Sequence, residues 1–179
     1  MEPCRNIQVV LETERLLLRE WTPGDAQAYF EIYQDPEMFR WLGNGTGKPP
    51  KDVAQVRQRL ERRVIEGTMP KLGLWATLDK SRGRIVGNCG LVQTPESGEI
   101  ELVYHIARPD WGLGYATEAA RACLEYGLKT LNLARVVGLV YPENRASARV
   151  LEKIGMRPEG ECQAYGTTLK RYAAVSRPE

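Results

Sequence analysis

Histidine and cysteine are scarce in this chain of 179 residues: His105 is the one histidine, and Cys4, Cys89, Cys123 and Cys162 form no C-x-x-C pair. A closed zinc site would need ligands from distant parts of the sequence, and no metal is expected. A Ser-His-Asp hydrolase would have to be built on His105, and no G-x-S-x-G elbow accompanies it. Net charge is small as well, +2 from 25 Lys and Arg against 23 Asp and Glu. Without a basic arm or tail, no nucleic-acid partner is expected. Apolar runs stay far below a bilayer span, and the first residues lack a signal peptide's apolar core, so no membrane partner is expected either. Dispersed cysteines fit a reducing compartment and a cytoplasmic protein.

The length suits one domain, 1–179, able to bury about 70% of its unfolded surface. Residues 7–20 read as an entry strand broken around Glu12 to Glu14. Thr22 is an N-cap with Pro23 at the first helical position and Asp25 two residues later. A helix is predicted from there to about Gln34, ending at Asp35-Pro36. The segment GNGTGKPP (43–50) is a loop, and Pro49 stands where a P-loop needs Ser or Thr. A second helix spans about 50–65, with Val53, Val56, Leu60 and Val64 on one side and Arg57, Arg59, Arg62 and Arg63 on a solvated face. Two strands, 72–79 and 85–93, form a hairpin.

The segment EIELVYHIA (99–107) alternates, sending Ile100, Leu102, Tyr104 and Ile106 one way and Glu99, Glu101, Val103 and His105 the other. From Gly114 an apolar helical stripe runs through Ala116, Ala119, Ala120, Cys123, Leu124, Gly127, Leu128 and Leu131. Cys123 is therefore read as a small core residue. A strand at 135–141, a helix at about 144–154 and closing strands near 159–166 and 168–175 complete a mixed sheet flanked by helices.

The most informative stretch is ARPDWGLGYATEAA (107–120): a strand ends, a glycine-bearing turn follows and a helix starts at once. Backbone N–H groups of such a turn converge with the helix's unpaired N–H groups and its dipole, a setting for an anion. Gly112 and Gly114 permit close approach. A dinucleotide fingerprint would need Gly or Ala at 117, where Thr117 stands, and no ribose-binding acid follows about 20 residues on.

The W-G-x-G-Y-A-T-E-A block, the later E-N-x-A-S-x-x-V-L-E-K-x-G block, the trailing E-G and the opening TERLLLREWTPGDAQAYFEIYQDPEMFRWL together resemble the GNAT superfamily of N-acetyltransferases, most closely its RimJ/RimL-type branch. The resemblance implies the GNAT (acyl-CoA N-acyltransferase) fold, a mixed, mostly antiparallel sheet of about six to seven strands flanked by about four helices. It also implies acetyl transfer from acetyl-CoA to a primary amine, whether a protein or peptide N-terminus or a small molecule. A non-catalytic acyl-CoA-sensing module is the alternative. By position, backbone around His105 and Ile106 would pair with pantetheine. The N–H groups of Trp111, Gly112, Leu113, Gly114, Tyr115, Ala116 and Thr117 would cradle the pyrophosphate, and Asn144 would bond the pantetheine arm.

Glu101 is the candidate base, with Glu99 as substitute, and Ser147 the candidate contact for the departing sulfur. Leu151 stands where many relatives carry a tyrosine acid, and Met156 where a phenylalanine is common. The oxyanion would meet a backbone N–H of the central strand, which often bears a bulge in this family. Direct attack is expected over a route through cysteine. Tyr33, Phe39, Trp41 and Tyr165 would shape the acceptor cleft. Monomer and homodimer both stay open.

Overall fold

Strand pairing organises the chain, and the computed structural model describes it over residues 8–42, 48–66 and 71–176. Cys4, the glycine-rich loop at 43–47 and the side chains of Phe39, Arg63 and Val64 lie outside the described residues. The entry segment forms two antiparallel strands, β1 (Val9–Glu12) and β2 (Leu16–Arg19). The Thr13 N–H closes the turn between them on the Leu16 carbonyl at 2.9 Å. Strands β3 (Gly73–Asp79), β4 (Arg84–Gln93) and β5 (Ile100–Ile106) continue the meander. β6 (Arg135–Val140) lies parallel to β5, then come β8 (Thr167–Val175) and, at the edge, β7 (Arg157–Ala164), giving the order β1-β2-β3-β4-β5-β6-β8-β7.

The helices are α1 (Ala26–Ile32), α2 (Pro36–Phe39), α3 (Val53–Glu66), α4 (Tyr115–Glu125) and α5 (Arg145–Lys153). Eight strands and five α-helices exceed the expected six to seven and four for local reasons. Asp35 does end the first helix, but its carboxylate then accepts the Glu37 N–H at 2.9 Å and caps one more turn, α2. The first helix also opens as a 3₁₀ turn at 23–25. There Asp25 accepts both the N–H and the hydroxyl of Thr22, and two bonds from Arg19 at 2.7 and 2.8 Å.

One sheet face packs under α4 and α5. The β5 residues Leu102 and Ile106 are buried there with Ala119, Ala120, Cys123 and Leu124 of α4 and Leu151 of α5; Ile100 and Tyr104 pack against them. The other face receives α1 and α3 through Trp21, Ala26, Val56, Leu60 and Ala76. Arg57, Arg59 and Arg62 are exposed. Among the described residues no helix is long and apolar enough to cross a membrane.

The fit of α5 on β6 is close: a Cβ placed on Gly138 would stand 2.9 Å from a Leu151 methyl. Leu151 is 1% exposed, a core position. Leu151→Ala is expected to cost about 3 kcal/mol and lower the thermal midpoint by about 10 °C, read by calorimetry.

Candidate active site

The sheet opens between β5 and β6. Their parallel register holds at a single pair, Glu101 with Val137, while β5 stays registered with β4 from Ile100 to Ile106 without a shift. The expected bulge is thus absent from the β4–β5 ladder. Both chains leave this opening at their carboxyl ends, β5 toward the glycine turn and α4, β6 toward Asn144 and α5. Such a junction is where open α/β sheets bind ligands.

Strand alternation decides which backbone groups face the gap. The Ala107 N–H bonds the Val86 carbonyl at 2.8 Å. Ala107, His105, Val103 and Glu101 therefore turn their backbone toward β4, whereas Leu102, Tyr104 and Ile106 turn theirs toward β6. The edge expected at His105 and Ile106 is, by this alternation, offered at Tyr104 and Ile106. The Ile106 carbonyl also accepts the Trp111 indole N–H at 2.6 Å, although Trp111 is 46% exposed.

At the gap's outer end Gly112 and Gly114 hold φ of 79° and 83°, a left-handed backbone suited to glycine. The Trp111 N–H is taken by the Arg108 carbonyl at 3.1 Å, so of the amides expected to cradle the pyrophosphate this one already has a partner. Glu118 is the first residue of α4 to bond back, to the Gly114 carbonyl at 3.1 Å, which leaves the N–H groups of Tyr115, Ala116 and Thr117 without intrahelical partners. The turn residues Gly112, Leu113 and Gly114 thus lead directly into the unpaired amides of Tyr115, Ala116 and Thr117, with the helix dipole behind them.

Side chains that sequence reasoning missed brace this turn. Glu118 accepts the Thr13 hydroxyl at 2.6 Å, the Arg15 N–H at 2.9 Å and Arg15 Nε at 2.7 Å, while Arg15 Nη1 bonds the Leu113 carbonyl at 2.9 Å. Buried Asp110 accepts Arg82 at 2.8 Å and Arg84 at 2.6 Å, and the Tyr115 hydroxyl donates to Asp79 at 2.7 Å. Only Glu118, inside the T-E-A-A run, left a local trace; its partners lie about a hundred residues away.

At the inner end Glu101 is 5% exposed. Burial, with the charge of Glu96, pushes its carboxyl up to about 7, against hydrogen bonds from the Tyr165 hydroxyl and the Leu139 N–H. Tyr165 comes from the β7–β8 turn, its hydroxyl 2.5 Å from Glu101 Oε2. Glu99, the substitute candidate, is engaged instead by Arg171 and Arg135.

Across the strand Tyr104 meets Ser147, its hydroxyl 2.8 Å from Ser147 Oγ and 2.9 Å from the Ser147 carbonyl. Asn144 caps α5, its Oδ1 accepting the Ser147 N–H at 3.1 Å. Because Glu101 and Tyr104 point to opposite faces of β5, the carboxylate and the Tyr104–Ser147 pair flank the gap from two sides.

His105 is held in a buried network: its Nδ1 is 3.0 Å from Asn88 Oδ1, and Asn88 Nδ2 donates to the Tyr33 hydroxyl. Burial lowers its pKa to about 4, so the ring is neutral. Tyr33 is a core residue, stacked on Tyr29 at 4.4 Å. Trp41 packs on Tyr141 at 5.8 Å, tying the end of α2 to the end of β6. Cys89 and Cys123 are buried side by side in the core, and burial pushes the Cys162 thiol up.

A family model described as an acetyltransferase (GNAT) domain matches residues 15–157. An uncharacterised protein of Bacillus subtilis, YkkB, is 33% identical over 170 residues, covering 93% of this chain and 92% of its own. An uncharacterised N-acetyltransferase p20 of Bacillus licheniformis is 33% identical over 159 residues, covering 87% and 86%. Among solved structures, RimJ of Mycobacterium smegmatis in complex with CoA-disulfide superposes with a TM-score of 0.75 at 20% identity, over 89% of this chain and 81% of that one.

The buried carboxyl has a consequence for stability. Glu101 holds its proton more tightly folded, near 7, than unfolded, near 4.5, so its contribution is full below 4.5 and is lost as pH rises through 7. Glu101→Gln is expected to raise the thermal midpoint by about 5 °C at pH 8, with the gain vanishing toward pH 5.

Proposed function

The chain belongs to the GNAT acetyltransferase family, and on that premise we propose that it moves the acetyl group of acetyl-CoA to a primary amine by direct attack while both substrates are bound. The observation that carries this reading is one unpaired strand edge with the unpaired first-turn amides of α4 at its outer end and a buried, high-pKa carboxyl at its inner end. Acetyl-CoA supplies the activated thioester: a C–N bond forms, the C–S bond breaks, the amine loses a proton and a thiol is released. The amides of Gly112 to Thr117 bind the pyrophosphate. Tyr104 and Ile106 offer the backbone edge to the pantetheine arm with His105 behind them, and Trp111 flanks it through its indole. Asn144 spends Oδ1 on its cap and keeps its amide nitrogen for the same arm.

Glu101 takes the amine's proton, directly or through one water. At pH 7 a free N-terminal amine with pKa near 7.8 costs about 1 kcal/mol to deprotonate, a lysine near 10.4 about 4.6 kcal/mol, so a base near 7 is matched to the former. The Tyr104 N–H, the first on the edge beyond the Glu101 pair, meets the developing oxyanion. Tyr104 gives its one proton to the Ser147 carbonyl and so accepts from Ser147 Oγ, which holds the serine hydroxyl beside the gap; it exchanges that bond for one to the departing sulfur. A thiol with pKa near 8.5 needs no stronger acid, in keeping with Leu151 in the core. Cys162, whose thiol is pushed up, offers no thiolate for a covalent route.

The test is a panel of peptides with varied N-termini and of small amines, mixed with acetyl-CoA and followed by free thiol. Thiol release with at least one amine is expected; acetyl-enzyme formed without any amine contradicts direct attack. Above about 7 Glu101 is ionised and accepts the proton, and below it is blocked, so kcat/KM falls on the acid side of about 7. Glu101→Gln is expected to lower kcat by about 10²–10³ and to erase that inflection. Gly114→Ala, which forces a Cβ into a left-handed backbone, is expected to weaken coenzyme A binding about tenfold in calorimetry.

A further inference from the structure

The hairpin between β7 and β8 is closed by two residues, Tyr165 and Gly166, since Ala164 pairs with Thr167. Both hold positive φ, 52° at Tyr165 and 73° at Gly166, the geometry of a tight turn that favours Asn-Gly or Gly-Gly. A bulky aromatic residue in that region costs about 1–2 kcal/mol relative to glycine and persists only where its surroundings hold it there. The surroundings here are specific. The Tyr165 N–H donates to Glu96 Oε1 at 2.8 Å, which moors the turn to the β4–β5 loop, and the hydroxyl reaches Glu101 Oε2.

We infer that Tyr165, delivered by this left-handed turn and moored by Glu96, is the positioning residue that fixes the orientation and charge state of the Glu101 carboxylate. The inference rests on Glu101 being the base only for its bearing on turnover. The Leu139 N–H meets it from β6 and Glu96 from the β4–β5 loop, Cys162 lies near on β7, and Glu99 and His105 share its side of β5. Tyr165 stabilises the charged form by donating to it; Glu96 opposes that form by repulsion. The two residues that hold the turn therefore act on Glu101 with opposite signs.

The experiment is a carboxyl-carbon NMR titration of Glu101 in the full chain without substrates, for the unmodified protein, Tyr165→Phe and Glu96→Gln, alongside pH profiles of kcat/KM. Tyr165→Phe keeps the ring and the backbone but removes the donor, and is expected to raise the Glu101 midpoint by about one pH unit. Glu96→Gln keeps an acceptor for the Tyr165 N–H but removes the charge, and is expected to lower the midpoint. The acid limb of kcat/KM should follow, so that at pH 6 Tyr165→Phe is about tenfold slower than the unmodified protein and the gap narrows as pH rises. An unmoved midpoint in Tyr165→Phe, with a raised KM for the amine as its one defect, overturns the inference; so do shifts of the same sign in both variants. The titration is decided on the free protein, whereas the base assignment falls separately if Glu101→Gln keeps its turnover.

Discussion

Two parallel strands that meet at one residue pair and then part are the constraint on which this molecule turns. Backbone amides and carbonyls inside a sheet need partners, and an edge left open in the middle of a sheet is costly unless a ligand or water supplies them. The opening exists because β5 and β6 are joined through α4, a crossover that only parallel strands require, while β8 holds β6 firmly on its far side. The same crossover sets the first turn of α4 at the mouth of the gap. One topological event thus produces both the slot and the glycine turn at its end.

The surrounding side chains are spent on keeping that arrangement rigid. Arg15 and Glu118 fasten the glycine turn to the β1–β2 corner, while Asp110 gathers Arg82 and Arg84 beneath it. The Asp79 carboxylate is held well below the usual range, by donors from Ser81 and then Tyr115, and so stays ionised as a fixed anchor. Around Glu101 the logic is reversed. There burial outweighs the two donors, so this carboxyl titrates near neutrality, where a proton acceptor is useful. Charge is locked at Asp79 and poised at Glu101.

Much of this was legible in the sequence because it is local. The alternation of 99–107, the apolar stripe after Gly114 and the Thr22-Pro23 start gave strand, helix and cap by periodicity and turn chemistry. Residues 107–120 gave a glycine turn running straight into a helix, as found. What stayed hidden depends on contacts across the chain. Which amides of β5 face the gap follows from the pairing with β4, which turns the backbone of His105 toward β4 and that of Tyr104 toward the gap. The Trp111 N–H was lost to a 3₁₀ turn, and Tyr33 proved to be core. The place of Tyr165 in the closing hairpin was legible from the two strands around it. Its hydrogen bond to a carboxylate 64 positions earlier was not.

The central claim is that the open edge of β5 and the glycine turn before α4 receive one extended ligand, coenzyme A. Residue-resolved amide hydrogen exchange, with and without saturating acetyl-coenzyme A, tests it most directly. The account predicts slowed exchange at Tyr104, Ile106 and Gly112 to Thr117 together, with Val103 and His105, already bonded to β4, little changed. Saturated binding that leaves the Tyr104 and Ile106 amides exchanging as before would contradict it.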